Sequence, residues 1–151
     1  MATRWFIASA VLLLGGALNA APQASDRVPE IGEPHALPRS SFQMMVASAQ
    51  TWPYETIEVS GVTYGIAINT NTLKIAYVDT RDPKFKTLRL TVGSTLQEVL
   101  ATGAEKPWAE PGWAYHTKLR SGWSAAFVEG TSMTNLPLQP TSKIAFFFKR
   151  E

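Results

Sequence analysis

The chain has 151 residues, 45% of them hydrophobic and 17% charged, with 10 glycines and 10 prolines. This composition is typical of an ordinary folded protein with one domain. The 14 Lys and Arg residues against 12 Asp and Glu give a formal net charge of +2, too small to predict a nucleic-acid partner. The absence of cysteine excludes disulfides, thiolate metal sites and cysteine nucleophiles.

Residues 1–20 have the pattern of a cleaved secretory signal. Arg4 precedes an uncharged, mostly apolar run over 5–18, and the small residue Ala20 stands where cleavage is expected. The run is shorter than the roughly 20 residues that span a bilayer, although an uncleaved anchor remains the alternative. We expect a secreted or periplasmic chain that begins at Ala21 and has no membrane span.

Residues 21–39 have the composition of a flexible tether. They contain four prolines and only three sizeable apolar side chains, those of Val28, Ile31 and Leu37. Such a segment buries too little surface to offset its ordering entropy. We therefore predict a Pro-rich tether over 21–39 and a folded domain over 40–151.

The first element predicted in the domain is a short helix over residues 40–50. Phe42, Met45, Val46 and Ala49 recur at helical spacing after a serine cap. The residue before a proline is disfavoured in a helix, so Trp52-Pro53 is expected to end it.

The centre of the chain is predicted to form strands. Apolar residues alternate with small or polar ones over 62–68 and again over 73–78, on either side of a turn, which predicts a hairpin. Pairing Ile66 with Ile75 would place every large side chain of both strands on one face. A short strand over 57–59 is expected to precede them.

A second hairpin is predicted around Gly122. A three-residue loop over 120–122 pairs Leu119 with Trp123, and the same register places Trp113 and Tyr115 on one side of the first strand. The final strand, 144–149, carries three consecutive phenylalanines, which is typical of a central strand covered on both faces.

Between the hairpins, a strand over 88–92 is predicted to lead into a helix. Thr95 and Glu98 have the spacing of a capping box, and Gly103 is a natural terminator. Leu96, Val99 and Leu100 would form its buried stripe.

The run 91–99 resembles the Gly-x-Thr-x-x-(Glu/Gln)-Val turn of a group of small exported bacterial proteins. This group includes the small lipoprotein of the outer-membrane barrel-assembly machinery and the β-lactamase inhibitor protein. The resemblance covers about ten residues and rests on Gly93, Thr95, Glu98 and Val99. It implies an α+β module that binds other proteins without catalysing a reaction.

Motifs with known catalytic mechanics are absent from the sequence, including nucleophile elbows, phosphate loops and His-Glu-x-x-His. His35 falls in the predicted tether, which leaves His116 as the single candidate general base, and we interpret it as an ordinary strand histidine. Asp79 and Asp82 have the spacing of a carboxylate pair, but Asp82-Pro83 favours a turn. We expect no enzyme activity, no cofactor and no metal.

One cluster of basic residues follows the predicted strands. It is interleaved with Phe85 and consists of Arg81, Lys84, Lys86 and Arg89. Nearby Asp79 and Asp82 dilute its charge, so we interpret it as a solvated face rather than an anion-binding surface.

Tryptophan is the better indication of function. Trp113 and Trp123 alternate with other strand residues and are expected in the core, whereas Trp108 lies in a loop between two prolines. An exposed tryptophan in a stiff loop favours contact with a protein or a sugar ring. We predict a binding surface that comprises Trp108, Glu110, His116, Lys118 and Arg120.

The sequence therefore predicts a single α+β domain, with a mainly antiparallel sheet of five or six strands and one or two short helices. The leading function is an exported non-enzymatic module that binds a protein, as an inhibitor, an immunity-type protein or an envelope assembly factor. The alternative is a carbohydrate-binding or cell-wall module that uses exposed tryptophan.

Overall fold

The structure of the protein, a computed structural model, describes residues 27–39 and 41–151. Its elements in chain order are β1 (Gln43–Ala47), β2 (Gln50–Val59), β3 (Val62–Asn69), β4 (Lys74–Thr80), α1 (Leu96–Ala101), β5 (Trp108–Glu110), β6 (Ala114–Lys118), β7 (Ser124–Phe127) and β8 (Ile144–Arg150). The strands form one antiparallel sheet in the order β1-β2-β3-β4-β8-β7-β6-β5, curved into a half-barrel.

The predicted α+β class with five or six strands is wrong. The described residues form eight strands and one helix of six residues, so the domain is mostly β. The main cause is segment 40–50, where the helix prediction fails. Burial there alternates, with Met45 exposed and Val46 buried, and Ala49 at a φ of 59° turns the chain from β1 into β2. The proposed serine cap, Ser40, lies outside the described residues.

The hairpin of β3 and β4 forms, but its predicted register is wrong. Ile66 pairs with Val78, and a bulge at Ala67 and Ile68 shifts the pairing by one residue, so that Ile68 faces Ile75. A bulge reverses the side-chain alternation beyond it. Tyr77 therefore lies on the opposite face from Ile75.

The hairpin of β6 and β7 has the predicted register. The Leu119 amide donates to the Trp123 carbonyl (2.8 Å), and Gly122 closes the three-residue loop with a φ of 86°. One detail of the prediction is wrong, because Trp113 precedes β6 in a turn and packs on the opposite face from Leu119.

Strand β8 lies at the centre of the sheet between β4 and β7, with apolar cores on both sides as predicted. Phe147 packs in the larger core, while Phe146 and Phe148 pack with Trp113 in the smaller one. Trp113 and Arg150 on that face reach across to β1, at the far edge of the sheet. The smaller core therefore lines the concave face.

The larger core, on the convex face, is covered by the long connection from β4 to β5. Its helix α1 has the predicted capping box, since Thr95 Oγ1 accepts from the Glu98 amide and the Glu98 carboxylate accepts from the Thr95 amide. Leu96 and Val99 are buried, but Leu100 is 40% exposed, contrary to the prediction.

The strand predicted over 88–92 is a tight turn instead. Leu88 and Arg89 have φ values of 50° and 66°, and Thr87 and Leu90 exchange backbone hydrogen bonds across them. Left-handed residues cannot continue a strand, so the alternation of leucines in this segment does not report extended chain.

Residues 27–39, the described part of the predicted tether, make specific contacts with the domain. Val28 and Ile31 pack against the larger core. The Gly32 amide donates to the Ile75 carbonyl and the Ile75 amide donates to the Glu33 carbonyl.

Among the described residues, no helix is long and apolar enough to cross a membrane. The signal prediction falls outside the described residues.

Candidate binding surface

The candidate surface is built on β5, a three-residue edge strand joined to β6 by a tight turn. The Trp113 amide donates to the Glu110 carbonyl (3.0 Å), and Gly112 supplies the left-handed residue of the turn with a φ of 73°. Trp113 is thereby directed into the smaller core, where it is only 4% exposed. Trp108, at the other end of β5, is 55% exposed.

The exposed indole of Trp108 rests on a buried histidine. Trp108 and His116 are directly opposite each other in the sheet, and their ring centroids are 3.9 Å apart. His116 is only 5% exposed and also contacts the rings of Trp113 and Phe148. One face of Trp108 is thus held by a packed aromatic cluster.

Glu110 connects this cluster to two other parts of the sheet. Its carboxylate accepts from the Arg150 guanidinium (2.6 Å) at the end of β8, and from the Ser48 amide (2.7 Å) in the turn after β1. His116 Nε2 lies 3.2 Å from the same carboxylate. Burial would raise the pKa of Glu110, but Arg150 and the Ser48 amide outweigh it and hold that pKa below its usual range.

The environment of His116 favours its neutral form. Burial lowers the pKa of His116, and the nearby Arg150 adds to that effect, against an opposing contribution from Glu110. The ring is enclosed by aromatic side chains, and its Nε2 already contacts Glu110. This arrangement suits a support for Trp108 better than a general base.

A groove of about 700 Å³ lies beside Trp108, between the loop after α1 and the end of β6. Lys118 and Arg120 line it, together with Lys106 and Gly122. A second cavity of about 440 Å³ shares Trp108, Lys118 and Gly122 with the first and also borders His116. These three shared residues therefore lie between the two cavities.

The structure brings four of the five predicted site residues to these cavities. Trp108, Lys118 and Arg120 line the larger one, and His116 lines the smaller. Glu110 does not face either cavity, and it supports the surface through its bonds to His116 and Arg150.

Sequence reasoning missed Arg150. Its guanidinium binds Glu110 and lies over the Trp113 ring, 4.7 Å from the centroid. Arg150 could have been found from the alternation of side chains in β8, which places it on the same face as Phe146 and Phe148. A charge that follows an apolar stripe on one face requires a partner.

The carboxylate pair considered in the sequence is not a pair. Asp79 points into the concave face, where its carboxylate accepts from the hydroxyls of Tyr54 (2.8 Å) and Tyr77 (3.4 Å). Burial raises the pKa of Asp79, against the opposing effects of these hydroxyls and Arg81. Asp82 instead accepts from backbone amides of its own turn and of β3.

The other residues considered in the sequence analysis, His35 and the basic cluster, lie outside the candidate surface. His35 Nε2 lies 2.7 Å from the Glu55 carboxylate. The four basic residues of the sequence cluster are exposed, and Phe85 between them is buried in the larger core. Within the described part of the chain, no group of three His, Asp or Glu residues is arranged to hold a metal ion.

Comparisons with known proteins give no family. No protein-family model and no curated protein matches the chain. Among solved structures, the crystal structure of the uncharacterized protein yfeY from Escherichia coli is similar with a TM-score of 0.36 and 14% identity, over 65% of this chain and 77% of that chain. No functional argument follows from this likeness.

Proposed function

We propose that the protein is an exported, non-enzymatic binding module whose protein partner contacts Trp108 and the adjoining groove. The observation that carries this proposal is the contrast in Trp108 itself. More than half of the side chain is exposed, yet its ring is held 3.9 Å from a buried imidazole. A large aromatic side chain already fixed in one orientation loses little entropy on binding, which is typical of an interface hot spot.

Binding without catalysis is supported by the contacts that the polar side chains near Trp108 make. The His116 and Glu110 side chains contact each other, Glu110 also binds Arg150, and neither His116 nor Glu110 lines the larger groove. The groove itself presents Lys106, Lys118 and Arg120, which are long cations suited to recognition of a surface. An inhibitor, an immunity-type protein or an envelope assembly factor fits this description.

Export is supported by the sequence of residues 1–20, which has the pattern of a cleaved secretory signal. We propose a secreted or periplasmic location, in which the mature chain begins at Ala21. Intact-mass measurement of the secreted protein tests this, because a retained Met1 would contradict cleavage.

The binding proposal is tested by comparing Trp108→Ala with Leu136→Ala, since Leu136 has a similar exposed fraction outside the groove. Each variant is used for affinity capture from cell extract, followed by mass spectrometry. We expect a protein that wild type and Leu136→Ala retain and that Trp108→Ala binds about 30-fold or more weakly.

Unfolding midpoints provide the control. Trp108→Ala should unfold at nearly the wild-type midpoint, whereas Trp113→Ala should lose about 3 to 5 kcal/mol because it empties a packed core site. Equal capture by wild type and Trp108→Ala would contradict the proposal.

A carbohydrate-binding module is the second candidate, favoured by the exposed face of the Trp108 indole, onto which a sugar ring can stack. Retention of the protein on a polysaccharide column, abolished by Trp108→Ala and not by Leu136→Ala, would favour this function over protein binding.

A further inference from the structure

The sheet has an unpaired stretch of edge beside Trp108. Strand β5 pairs with β6 only over Ala114 to His116, while β6 and its hairpin continue to Leu119. The pairing begins with Trp108, which lies opposite His116, and the residues N-terminal to Trp108 are not paired with β6. The groove occupies the space between them.

The backbone of Lys118 faces this groove. Leu119 donates its amide to Trp123, so Leu119 is directed at β7, and alternation directs Lys118 at the opposite side. Within the described chain, no residue outside β6 and β7 forms a backbone hydrogen bond with Lys118. Its amide and carbonyl are therefore available to a further strand.

The far wall of the groove is attached to β6 through a side chain. Thr117 Oγ1 donates to the Glu105 carbonyl (2.9 Å), which fixes the loop after α1 to the sheet without a backbone ladder. The space of about 700 Å³ that remains is open to solvent along the edge of β6. An extended peptide needs such a space beside an unpaired edge.

The charge around the groove selects the kind of peptide. Lys106, Lys118 and Arg120 are exposed and form no ion pair with any described residue, and Glu105 is the one acidic lining residue. An acidic segment is complementary to this excess of positive charge. Trp108 at the end of the groove offers an apolar contact.

We propose that this edge binds an extended acidic segment of the partner protein, which adds a strand beside Lys118 and places an apolar side chain against Trp108. This inference rests on the proposed function and names the chemistry of its partner. Main-chain hydrogen bonds to Lys118 fix the strand, and Lys106 and Arg120 select against basic sequences.

To test this, the full-length mature protein is titrated with the peptide acetyl-EVEVEV-amide and, separately, with its basic counterpart acetyl-KVKVKV-amide. NMR spectra are recorded at each step of the titration. We expect saturable shifts of the Lys118 amide and the Trp108 indole with the acidic peptide alone, at concentrations up to about 1 mM. Absence of saturable shifts, or equal shifts with both peptides, would overturn the proposal.

Three substitutions separate charge from backbone pairing. Lys118→Ala removes the charge and keeps the amide, whereas Lys118→Pro also removes the amide, at an edge position where proline is tolerated. We expect binding about tenfold weaker for Lys118→Pro than for Lys118→Ala. Lys86→Ala, outside the groove, makes the same change in net charge as Lys118→Ala and should bind as wild type.

Changes to the peptide give a readout that does not depend on the folding of a variant. The acidic peptide is N-methylated either at its valines or at its glutamates. Strand addition uses alternate amides, so one set should abolish binding and the other should be tolerated. Equal effects of both sets would overturn strand addition.

The outcomes also distinguish this inference from the proposed function. If Trp108→Ala releases the captured partner while Lys118→Pro binds both partner and peptide as Lys118→Ala does, strand addition is wrong and the binding function stands. Binding of an oligosaccharide in place of the peptide would overturn both.

Discussion

Gly65 lies in β3 at a point where the concave face leaves no room for a side chain. A Cβ there would overlap the Tyr54 hydroxyl and the Asp79 carboxylate. Both groups are fixed by their mutual hydrogen bond, and Asp79 is buried, so neither can move without leaving a buried polar group unpaired. The glycine is required by packing rather than by backbone conformation.

We therefore expect Gly65→Ala to lower the free energy of unfolding by about 3 kcal/mol or more. Ala67→Gly, two residues later on the same face, is the control and should cost about 1 kcal/mol. Urea denaturation measures both. A loss for Gly65→Ala no larger than that of the control would show that Tyr54 and Asp79 rearrange freely.

Asp79 gives a prediction about pH. Burial raises its pKa above the reference value of 3.8, so the folded protein holds this proton more strongly than the unfolded chain. Its stabilising contribution is complete below the unfolded pKa and is lost as pH rises through the raised folded pKa. Asp79→Asn cannot ionise and lacks this dependence.

The stability of Asp79→Asn relative to wild type should thus improve between about pH 3.5 and about pH 7. Urea unfolding of both proteins at the two pH values measures the change. A relative stability that moves in the opposite direction would mean that the tyrosine hydroxyls and Arg81 outweigh burial.

At the scale of elements, α1 is held by its cap and by two buried side chains. Thr95→Ala removes the capping box and should lower the free energy of unfolding by about 1 kcal/mol. Val99→Asp places an unpaired charge in the larger core and should cost about 3 kcal/mol or more.

Leu100→Asp is the matched control for the second change, since Leu100 is the exposed neighbour of Val99 on the same helix. It should cost less than about 1 kcal/mol. Similar losses for Val99→Asp and Leu100→Asp would contradict the observed orientation of the helix.

Elements set by local chemistry could be predicted from the sequence, whereas those set by long-range pairing could not. The capping box and the Gly122 loop depend on neighbouring residues, and both were predicted correctly. The register of β3 and β4 depends on a bulge with no local signal. Segment 40–50 has helical spacing, but pairing with β2 overrides it.

In the candidate site, too, features set by neighbouring residues could be predicted and contacts between distant residues could not. The exposure of Trp108 was predictable from its flanking prolines, although Trp108 lies in β5 and not in the predicted loop. The burial of Trp113 was predicted for the wrong reason, since Trp113 lies in a turn before β6 and packs on the face opposite to Leu119. The contact of Glu110 with Arg150 joins residues 40 positions apart in the sequence. Only the topology of the sheet brings them together, so spacing along the chain carries no information about this pair.

Across the whole molecule, side chains join the two edges of the open sheet. Trp113 Nε1 donates to the Met45 carbonyl of β1 (3.0 Å), and Ser48, in the turn after β1, donates its amide to Glu110 of β5. Arg150 binds both Glu110 and the Val46 carbonyl. These contacts, here termed the seam, replace the backbone ladder that would close a barrel.

Glu110 is the residue on which the seam depends, because its carboxylate binds Arg150, Ser48 and His116. Glu110→Gln should lower the free energy of unfolding by about 1 to 3 kcal/mol at neutral pH, since Arg150 loses its charged partner in a partly buried site. Glu30→Gln, which breaks an exposed pair with Lys149, is the control and should cost less than about 1 kcal/mol.

The pH dependence of this loss identifies the carboxylate as its cause. The pKa of Glu110 is lowered in the folded protein, so its contribution is present above the unfolded reference value of 4.5 and is lost as pH falls through the folded pKa. The difference between wild type and Glu110→Gln should therefore shrink in acid. A constant difference between about pH 3 and about pH 7 would show that the substitution acts through packing, and that the seam is not held by the charge of Glu110.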